Sequence, residues 1–218
     1  MDLIIGIDDA GRGPVLGPMI LAGVLADNKD GKELREMGAK DSKMLQPKKR
    51  KKIKDQIVSK FQYHSELSTP EEIDRSTNLN YLEAIKTAMI INKLSSGLKE
   101  KVRAVVDCPS TNIKKWTEDV ANLLINPKMI DLVCEHKADV NNVVVSAASI
   151  VAKERREEEI AKIKKELGVN FGSGYPADPV TREFLKNNFK NPKYKSLIRF
   201  SWATVKNLIS QEKQEKLF

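Results

Sequence analysis

Near its N-terminus the chain reads Leu3-Ile4-Ile5-Gly6-Ile7-Asp8-Asp9, and this apolar run followed by two acids decides how the fold is interpreted. The run is typical of a buried β-strand that ends at the two aspartates. A connection rich in Gly and Pro, residues 10–18, leads to a second apolar run at 19–25. Together these segments predict two paired strands at the start of a sheet.

Farther along the chain, apolar strand-like runs alternate with helical patterns as far as about residue 170. Strands are predicted at 102–106 and 129–134, and apolar positions repeat at helical spacing in 48–61 and 147–167. Beyond Gly172-Ser173-Gly174 the pattern predicts only two shorter helices. We therefore predict an α/β layered domain over residues 1–175 and a C-terminal helical segment with a short tail over residues 176–218.

The composition narrows the function classes. The 218 residues include 38 Lys and Arg against 30 Asp and Glu, a net charge of +8, which suits a polyanion such as nucleic acid. Cys108 and Cys134 form no C-x-x-C pair, which disfavours a zinc site or a disulfide framework. No apolar stretch approaches the ~20 residues of a membrane helix, and no signal-peptide pattern is present. We expect a cytoplasmic monomer without membrane contact.

An acid ends each of three predicted strands or follows it in the next loop: Asp8 with Asp9, then Asp107, then Asp139. Such carboxylates can converge on one pocket, and Mg²⁺ prefers oxygen ligands of this kind. Asp is also common at turns, where it binds local backbone, so each residue alone is a weak signal. Since neighbours on a regular strand point to opposite faces, Asp8 and Asp9 can share a metal only if the strand ends or bends there.

Several blocks of sequence, taken in chain order, resemble the type 2 ribonucleases H, in particular the archaeal ribonucleases HII. They are GIDDAGRGPVLGPM from Gly6, KDSKML from Lys40, VVD ending at Asp107, HKAD from His136, SAASIVAK from Ser146 and GSGYP from Gly172. Each block is a weak signal alone, but together they extend over most of the chain. The resemblance implies a ribonuclease H-like mixed sheet flanked by helices, with a C-terminal helical appendage.

The same resemblance implies an activity and a set of site residues. The activity is a metal-dependent endoribonuclease that uses two Mg²⁺ or Mn²⁺ ions. It acts on RNA/DNA hybrids and on single ribonucleotides embedded in DNA duplexes, cutting 5′ of the ribonucleotide to leave 3′-hydroxyl and 5′-phosphate ends. Metal binding and catalysis fall to Asp8, Asp9, Asp107 and Asp139, and substrate contacts to Gly11, Arg12, Gly13, Lys43, Ser146, Lys153 and Tyr175.

Other interpretations of these residues stay open at this point. In one, the chain is a basic nucleic-acid binding module that needs no metal and cleaves nothing. In another, it is a nucleotide-binding α/β protein that uses the Gly-rich turn, although Asp8 and Asp9 stand where phosphate would approach. A general DNase is the nearest alternative among nucleases.

Three further features depart from the family pattern or extend it. The second acid of the family is normally Glu, whereas this chain has Asp9, whose carboxylate arm is one methylene shorter. The tail resembles a truncated form of the peptide that binds a sliding clamp, through Gln214, Leu217 and Phe218. Alternatively, it is only a frayed, charged terminus without a partner. Arg199 and Lys206 flank Trp202 in the C-terminal segment and are candidate contacts to the duplex.

Overall fold

A computed structural model describes residues 2–39 and 45–215 of the chain. The chain divides into two compact units. The first, here the sheet unit, comprises Met1–Ala10, Ile20–Glu66 and Asn78–Arg155, and the second, here the helical unit, comprises Gly11–Met19, Leu67–Thr77 and Arg156–Phe218. These bounds differ from the division at residue 175, which stays a prediction. Among the helices of the described residues, none has the length and hydropathy to span a bilayer.

One mixed sheet of five strands, in the order β3-β2-β1-β4-β5, organises the fold. Its first strand is antiparallel to β2 and parallel to β4, and β4 is parallel to β5. The predicted α/β class and the predicted strand pair at the N-terminus are confirmed. The strand bounds are Leu3–Ala10 for β1, Met19–Asp27 for β2, Gln62–Ser68 for β3, Val102–Asp107 for β4 and Ile130–Glu135 for β5.

Helices fill most of the remaining described chain, and local signals fix where several of them begin. The Asn78 side chain accepts the Tyr81 amide at the start of α4, and Asp178 accepts the Val180 amide before Pro179 opens α8. The helix bounds are Gly31–Met37 for α1, Pro47–Lys60 for α2, Pro70–Arg75 for α3, Leu79–Ser95 for α4, Ile113–Ala121 for α5, Ala138–Asn141 for α6, Val143–Leu167 for α7, Pro179–Asn188 for α8 and Ala203–Glu215 for α9.

Within the sheet unit, α4 and α7 cover opposite faces of β1. A Cβ atom on Gly6 would lie 2.4 Å from the Val144 carbonyl carbon, so the first turn of α7 rests directly on the strand backbone. On the neighbouring strand, a Cβ on Gly23 would lie 2.4 Å from Ile90 of α4 and 3.4 Å from Ile7. Successive residues of a strand alternate between faces. Residues 6 and 8 therefore share the α7 face, and residues 7 and 9 share the α4 face.

A second apolar core belongs to the helical unit. It packs α8 and α9 with the C-terminal part of α7 and with the segment 11–19. An isolated antiparallel bridge joins Leu16 to Ile198 at its centre. Its buried members are Val15, Leu16, Ile160, Phe171, Phe184, Leu185, Leu197, Ile198 and Val205.

Candidate functional site

The first two acids lie inside β1 rather than at its end. The strand continues to Ala10, with Asp8 opposite Ala22 and Asp9 opposite Leu21. The prediction that the strand ends at the two aspartates is therefore wrong, because the antiparallel ladder with β2 persists through both. Alternation places Asp8 on the α7 face and Asp9 on the α4 face.

Asp8 is a buried carboxyl, only 6% exposed, and its environment disfavours a negative charge. Burial is the largest cause that raises its pKa from 3.8 to about 7, and the charges of Asp9 and Asp107 add to the effect. The Ser149 side chain and the Asp9 amide donate hydrogen bonds to Asp8, the amide at 2.7 Å, and both act in the opposite direction. A cation beside Asp8 would offset the burial and the like charges.

Asp107 is the last residue of β4 and is tied to α6. Its Oδ1 accepts the Ala138 amide at 3.1 Å. That contact brings Asp107 to the N-terminal turn of α6, which carries Asp139 with 8% exposure. Lys137, in the left-handed region at φ 58°, turns the chain into this short helix. The order of the parallel strands β1, β4 and β5 thus brings Asp8, Asp107 and Asp139 to the same edge of the sheet.

One small cavity of the sheet unit is lined by three of the four predicted metal ligands, Asp8, Asp9 and Asp107. It also contains two residues that the sequence analysis missed, Glu83 and Thr87 of α4, both of them fully buried or nearly so. Their signal in the sequence was an acid in the apolar stripe of a helix, because Glu83, Thr87 and Ile90 recur at helical spacing. A buried acid in such a stripe predicts a polar residue on the face of the sheet that the helix covers.

The donor set suits a hard divalent cation by its chemistry, since three carboxylates lie close together at a site where burial first, and then like charges, raise the pKa of Asp8. Within residues 2–39 and 45–215, no three His, Cys, Asp or Glu side chains already converge on a point that would hold a metal ion. Mg²⁺ does not require such a cluster, because it is usually bound through one or two carboxylates, with waters and phosphate oxygens as its other ligands.

The predicted substrate contacts on α7 lie on the stripe of that helix that meets Asp8. Ser146, Ser149 and Lys153 are spaced by three and four residues, which places them on one helix face. Ser146 is 2% exposed, and its hydroxyl has no hydrogen-bond partner within the described part of the chain. Lys153 is half-buried. Lys43, the remaining predicted contact of this unit, lies outside the described residues.

In the helical unit, the turn Gly11-Arg12-Gly13 follows β1 directly. Gly11 has φ 90°, and a Cβ there would lie 2.4 Å from Nε of Arg156. Gly13 is exposed, and a Cβ there would lie 3.5 Å from the Tyr175 ring. The Arg156 guanidinium lies 5.5 Å from the centre of the same ring. The structure thus brings Gly11, Gly13 and Tyr175 together around Arg156, a residue that the sequence analysis did not single out.

Arg199 is fully buried, so the expectation that it contacts a duplex is wrong. Its guanidinium instead donates to backbone carbonyls of the segment 11–17. It also lies 4.9 Å from the ring centre of Trp202. An Arg beside an aromatic residue, after a lysine-rich stretch, looks like a surface feature in sequence, and only the tertiary packing shows that it is internal.

The loop that carries Tyr175 is fixed by Asp178. The Asp178 carboxylate accepts the Ser173 amide at 2.6 Å, the Ser173 hydroxyl at 2.8 Å and the Val180 amide at 2.9 Å. These hydrogen bonds, that of the Ser173 amide first, lower the pKa of Asp178 to about 2. The buried carbonyl of Gly174 accepts the amides of Val15 and Leu16, which joins the loop to the segment 11–19.

The lowered pKa of Asp178 predicts a pH-dependent contribution to stability. Because the carboxylate is held more strongly in the folded state, its contribution is complete above the unfolded pKa of about 3.8 and is lost as the pH falls towards about 2. We expect Asp178→Asn to be less stable than the original protein at neutral pH and the difference to shrink over that range. Urea unfolding at a series of pH values measures it, and a difference of constant size would contradict the assignment.

Comparison with known proteins decides the family. The model of the family described as Ribonuclease HII matches residues 5–205. The chain belongs to the ribonuclease HII family. The chain is thus a type 2 ribonuclease H, a metal-dependent endoribonuclease. Family membership sets aside the interpretations as a non-catalytic binding module and as a nucleotide-binding protein, and it confirms the resemblance on which the site residues were assigned.

Individual ribonucleases HII and their structures agree with this assignment. Ribonuclease HII of Methanococcus maripaludis strain C6 is 39% identical over 99% of this chain and 91% of its own length. The enzyme of Pyrococcus furiosus is 40% identical over 97% of this chain and 93% of its own. The ribonuclease H2 structure from Pyrococcus horikoshii superposes with a TM-score of 0.84 at 35% identity, covering 97% of this chain and 99% of that one.

Proposed function

We propose that the chain hydrolyses RNA in RNA/DNA hybrids and at single ribonucleotides embedded in DNA duplexes, cutting 5′ of the ribonucleotide to leave 3′-hydroxyl and 5′-phosphate ends. The observation that carries the proposal is the closeness of three acids, Asp8, Asp9 and Asp107: the charges of Asp9 and Asp107 act on Asp8, and all three residues line one cavity. Such a set has no use in a protein that only binds a polyanion, because it repels phosphate.

In this proposal Asp8, Asp9, Asp107 and Asp139 hold two divalent ions, Mg²⁺ or Mn²⁺. Bound there, the ions supply a lowered pKa for the attacking water and a positive charge beside the leaving 3′-oxygen. The protein residues contribute position: Ala138 fixes the Asp107 carboxylate through its amide, and Ser149 fixes that of Asp8. No covalent intermediate on the protein is required.

Recognition of the ribonucleotide is assigned to the helical unit. Backbone groups of Gly11, Arg12 and Gly13 contact the 2′-hydroxyl, the group that distinguishes RNA from DNA. Tyr175, with 43% exposure and a face on Arg156, stacks on the sugar that follows. Ser146, Lys153 and Lys43 contact phosphate or the pocket wall. Phosphate contacts of this kind give salt-dependent affinity without sequence preference.

Some of the basic residues of α2 add to this affinity for phosphate. Lys48, Lys49, Lys51 and Lys52 are exposed and free to meet a phosphate backbone. Arg50 is different, because its guanidinium pairs with the buried Glu154 of α7 at 2.5 Å. We therefore assign the lysines, and not Arg50, to the duplex.

The test of the proposal uses three labelled duplexes: one with a single ribonucleotide, its all-DNA twin, and an RNA/DNA hybrid. Each is incubated with the protein in Mg²⁺, Mn²⁺ or EDTA. We expect cleavage of the two ribose-containing substrates in either metal and none in EDTA. Cleavage of the all-DNA twin at a comparable rate would show a general DNase and would contradict the proposed substrate.

The identity of residue 9 predicts a change in metal preference. Asp9→Glu restores the carboxylate arm that the family normally has, one methylene longer. We expect the ratio of the cleavage rate in Mg²⁺ to that in Mn²⁺ to rise by about 3–10-fold. The longer side chain moves the carboxylate by about 1 Å, and Mg²⁺ is sensitive to such a shift because it requires near-ideal octahedral geometry. Asp55→Glu, on the exposed face of α2, is the matched control. An unchanged ratio of the two rates would contradict a role for Asp9 in metal binding.

A sliding clamp is a further proposed partner. An archaeal structure described as the PCNA:RNase HII complex from Archaeoglobus fulgidus matches this chain with a TM-score of 0.80 at 34% identity, covering 92% of this chain and 95% of that one. Here Gln214 is exposed on α9, while Leu217 and Phe218 lie outside the described residues.

Truncation tests the role of the tail. Removal of residues 216–218 is expected to abolish binding to an archaeal clamp and to leave cleavage of a short duplex within about twofold of the original rate. Calorimetric titration of the clamp with the full chain and with the truncated chain measures the change. Equal affinities would remove the tail from the interface. The expectations of a monomer and of a cytoplasmic location stay predictions.

A further inference from the structure

Arg199 is an arginine enclosed in the helical unit and aimed at backbone rather than at a carboxylate. Its Nη2 donates to the Gly11 carbonyl at 2.7 Å, its Nη1 to the Arg12 carbonyl at 3.1 Å, and its Nε to the Gly17 carbonyl at 2.9 Å. Its own amide donates to the Val15 carbonyl at 3.0 Å. One residue near the C-terminus thus binds four carbonyls of the segment 11–17.

These hydrogen bonds fix the direction of the peptide groups in the turn. In a trans peptide, the carbonyl of one residue and the N–H of the next point in opposite directions, and the described chain has no cis peptide. Since the carbonyls of Gly11 and Arg12 point at Arg199, the N–H groups of Arg12 and Gly13 point away from it. Among the described residues the Gly13 N–H has no hydrogen-bond partner, and Gly13 is exposed.

The surroundings explain why an arginine is needed. A guanidinium offers five N–H donors in a fixed plane, enough for three separate carbonyls, whereas a lysine offers a single point of charge. The arrangement is costly, because burial and then the positive charge of Arg156 lower the pKa of Arg199. A leucine or methionine would fill such a core without that cost. The charged side chain is therefore explained by the carbonyls that it orients.

The segment that carries Arg199 is itself anchored. The Asp74 carboxylate of α3 accepts the Phe200 amide at 2.7 Å, the Ser201 amide at 2.9 Å and the Ser201 hydroxyl at 2.5 Å. On the other side, the Trp202 ring covers the guanidinium. The two contacts leave Arg199 little freedom to move away from the turn.

We propose that Arg199 is a positioning residue, which holds the turn Gly11-Arg12-Gly13 so that its amide N–H groups stay directed outward for the sugar and phosphate of the ribonucleotide. The inference rests on the proposed function of this turn. It predicts that loss of the guanidinium weakens substrate recognition more than loss of an equally buried side chain that donates no hydrogen bond to the turn.

The experiment compares Arg199→Lys and Arg199→Gln with Val205→Ala, a fully buried position of the same core whose apolar side chain can donate no hydrogen bond to the carbonyls of the turn. All are assayed well below their melting temperatures on the single-ribonucleotide duplex. We expect kcat/KM of both Arg199 variants to fall by about 10–100-fold, mostly through KM, with Lys the milder change. Val205→Ala is expected to stay within about twofold of the original protein.

A second readout does not depend on catalysis. Backbone ¹⁵N–¹H spectra of the same proteins are expected to show shifted signals for Gly11, Gly13 and Gly17 in the Arg199 variants and unchanged ones in Val205→Ala. If the original protein failed to cleave, the proposed function would fail, while these spectra would still test the positioning. Unchanged glycine signals in Arg199→Lys, or an equal loss of kcat/KM in Val205→Ala, would overturn the proposal.

Discussion

The substitution Asp107→Asn is expected to reduce the rate of cleavage of a ribonucleotide-containing duplex by about three orders of magnitude. A loss of this size corresponds to several kcal/mol of transition-state stabilisation by the metal ions. The structural reason is that Asp107 joins two parts of the site. It lines the cavity with Asp8 and Asp9, and its Oδ1 accepts the Ala138 amide next to Asp139. An asparagine keeps an oxygen of the same shape for that amide, so the fold survives while the negative charge is lost.

The matched control is Asp131→Asn on the adjacent strand β5. Its carboxylate is 44% exposed and lies 3.6 Å from Arg103, an exposed ion pair that contributes only about 0–1 kcal/mol to stability. Both variants are compared with the original protein by single-turnover cleavage in Mg²⁺ and by thermal unfolding. Asp131→Asn should retain full activity. An Asp107→Asn protein that cleaves within about tenfold of the original rate would contradict the assignment of Asp107 as a metal ligand.

Gly11→Ala is expected to have the second largest effect, with a loss of about 100-fold in kcat/KM and of roughly 2–5 kcal/mol in the free energy of unfolding. Two causes add. Gly11 has φ 90°, a conformation that side chains with a Cβ rarely adopt. The new methyl group would also lie 2.4 Å from Nε of Arg156 and 2.9 Å from the Pro18 carbonyl. The turn would have to move.

Gly168→Ala separates these causes. Gly168 ends α7 at φ 65° in the same unit, and nothing lies within 4 Å of an added Cβ. This variant therefore carries the backbone strain without the clash, and we expect a loss of about 1 kcal/mol in unfolding free energy with unchanged kcat/KM. Denaturant unfolding and steady-state kinetics measure both quantities. Equal kinetic losses in the two variants would show that the position of the turn does not matter to the reaction.

The sequence predicted the elements whose signals are local. The apolar runs that became β1, β4 and β5 each contain or precede an acid, and the alternation of strands and helices predicted the α/β class. The exact end of β1 was not predicted, because pairing with β2 carries the strand past both aspartates.

Contacts between distant parts of the chain were not predictable in this way. Glu83 comes to the cavity of Asp9 only because α4 covers that face of the sheet. Arg199 and Gly11 are 188 positions apart and yet share a hydrogen bond. In the sequence, Arg199 is one cation among 38 Lys and Arg residues, and only the structure shows that its side chain is buried against three backbone carbonyls.

The proposed reaction is hydrolysis at the ribonucleotide by a metal-held water, and mapping of the product ends is its sharpest test. A duplex with one ribonucleotide, labelled at either end of that strand, is cleaved in Mg²⁺ and the products are compared with synthetic markers. We predict a cut 5′ of the ribonucleotide, with a 3′-hydroxyl on one fragment and a 5′-phosphate on the other. A cut on the 3′ side that leaves a 2′,3′-cyclic phosphate would show attack by the ribose itself and would contradict attack by a metal-held water.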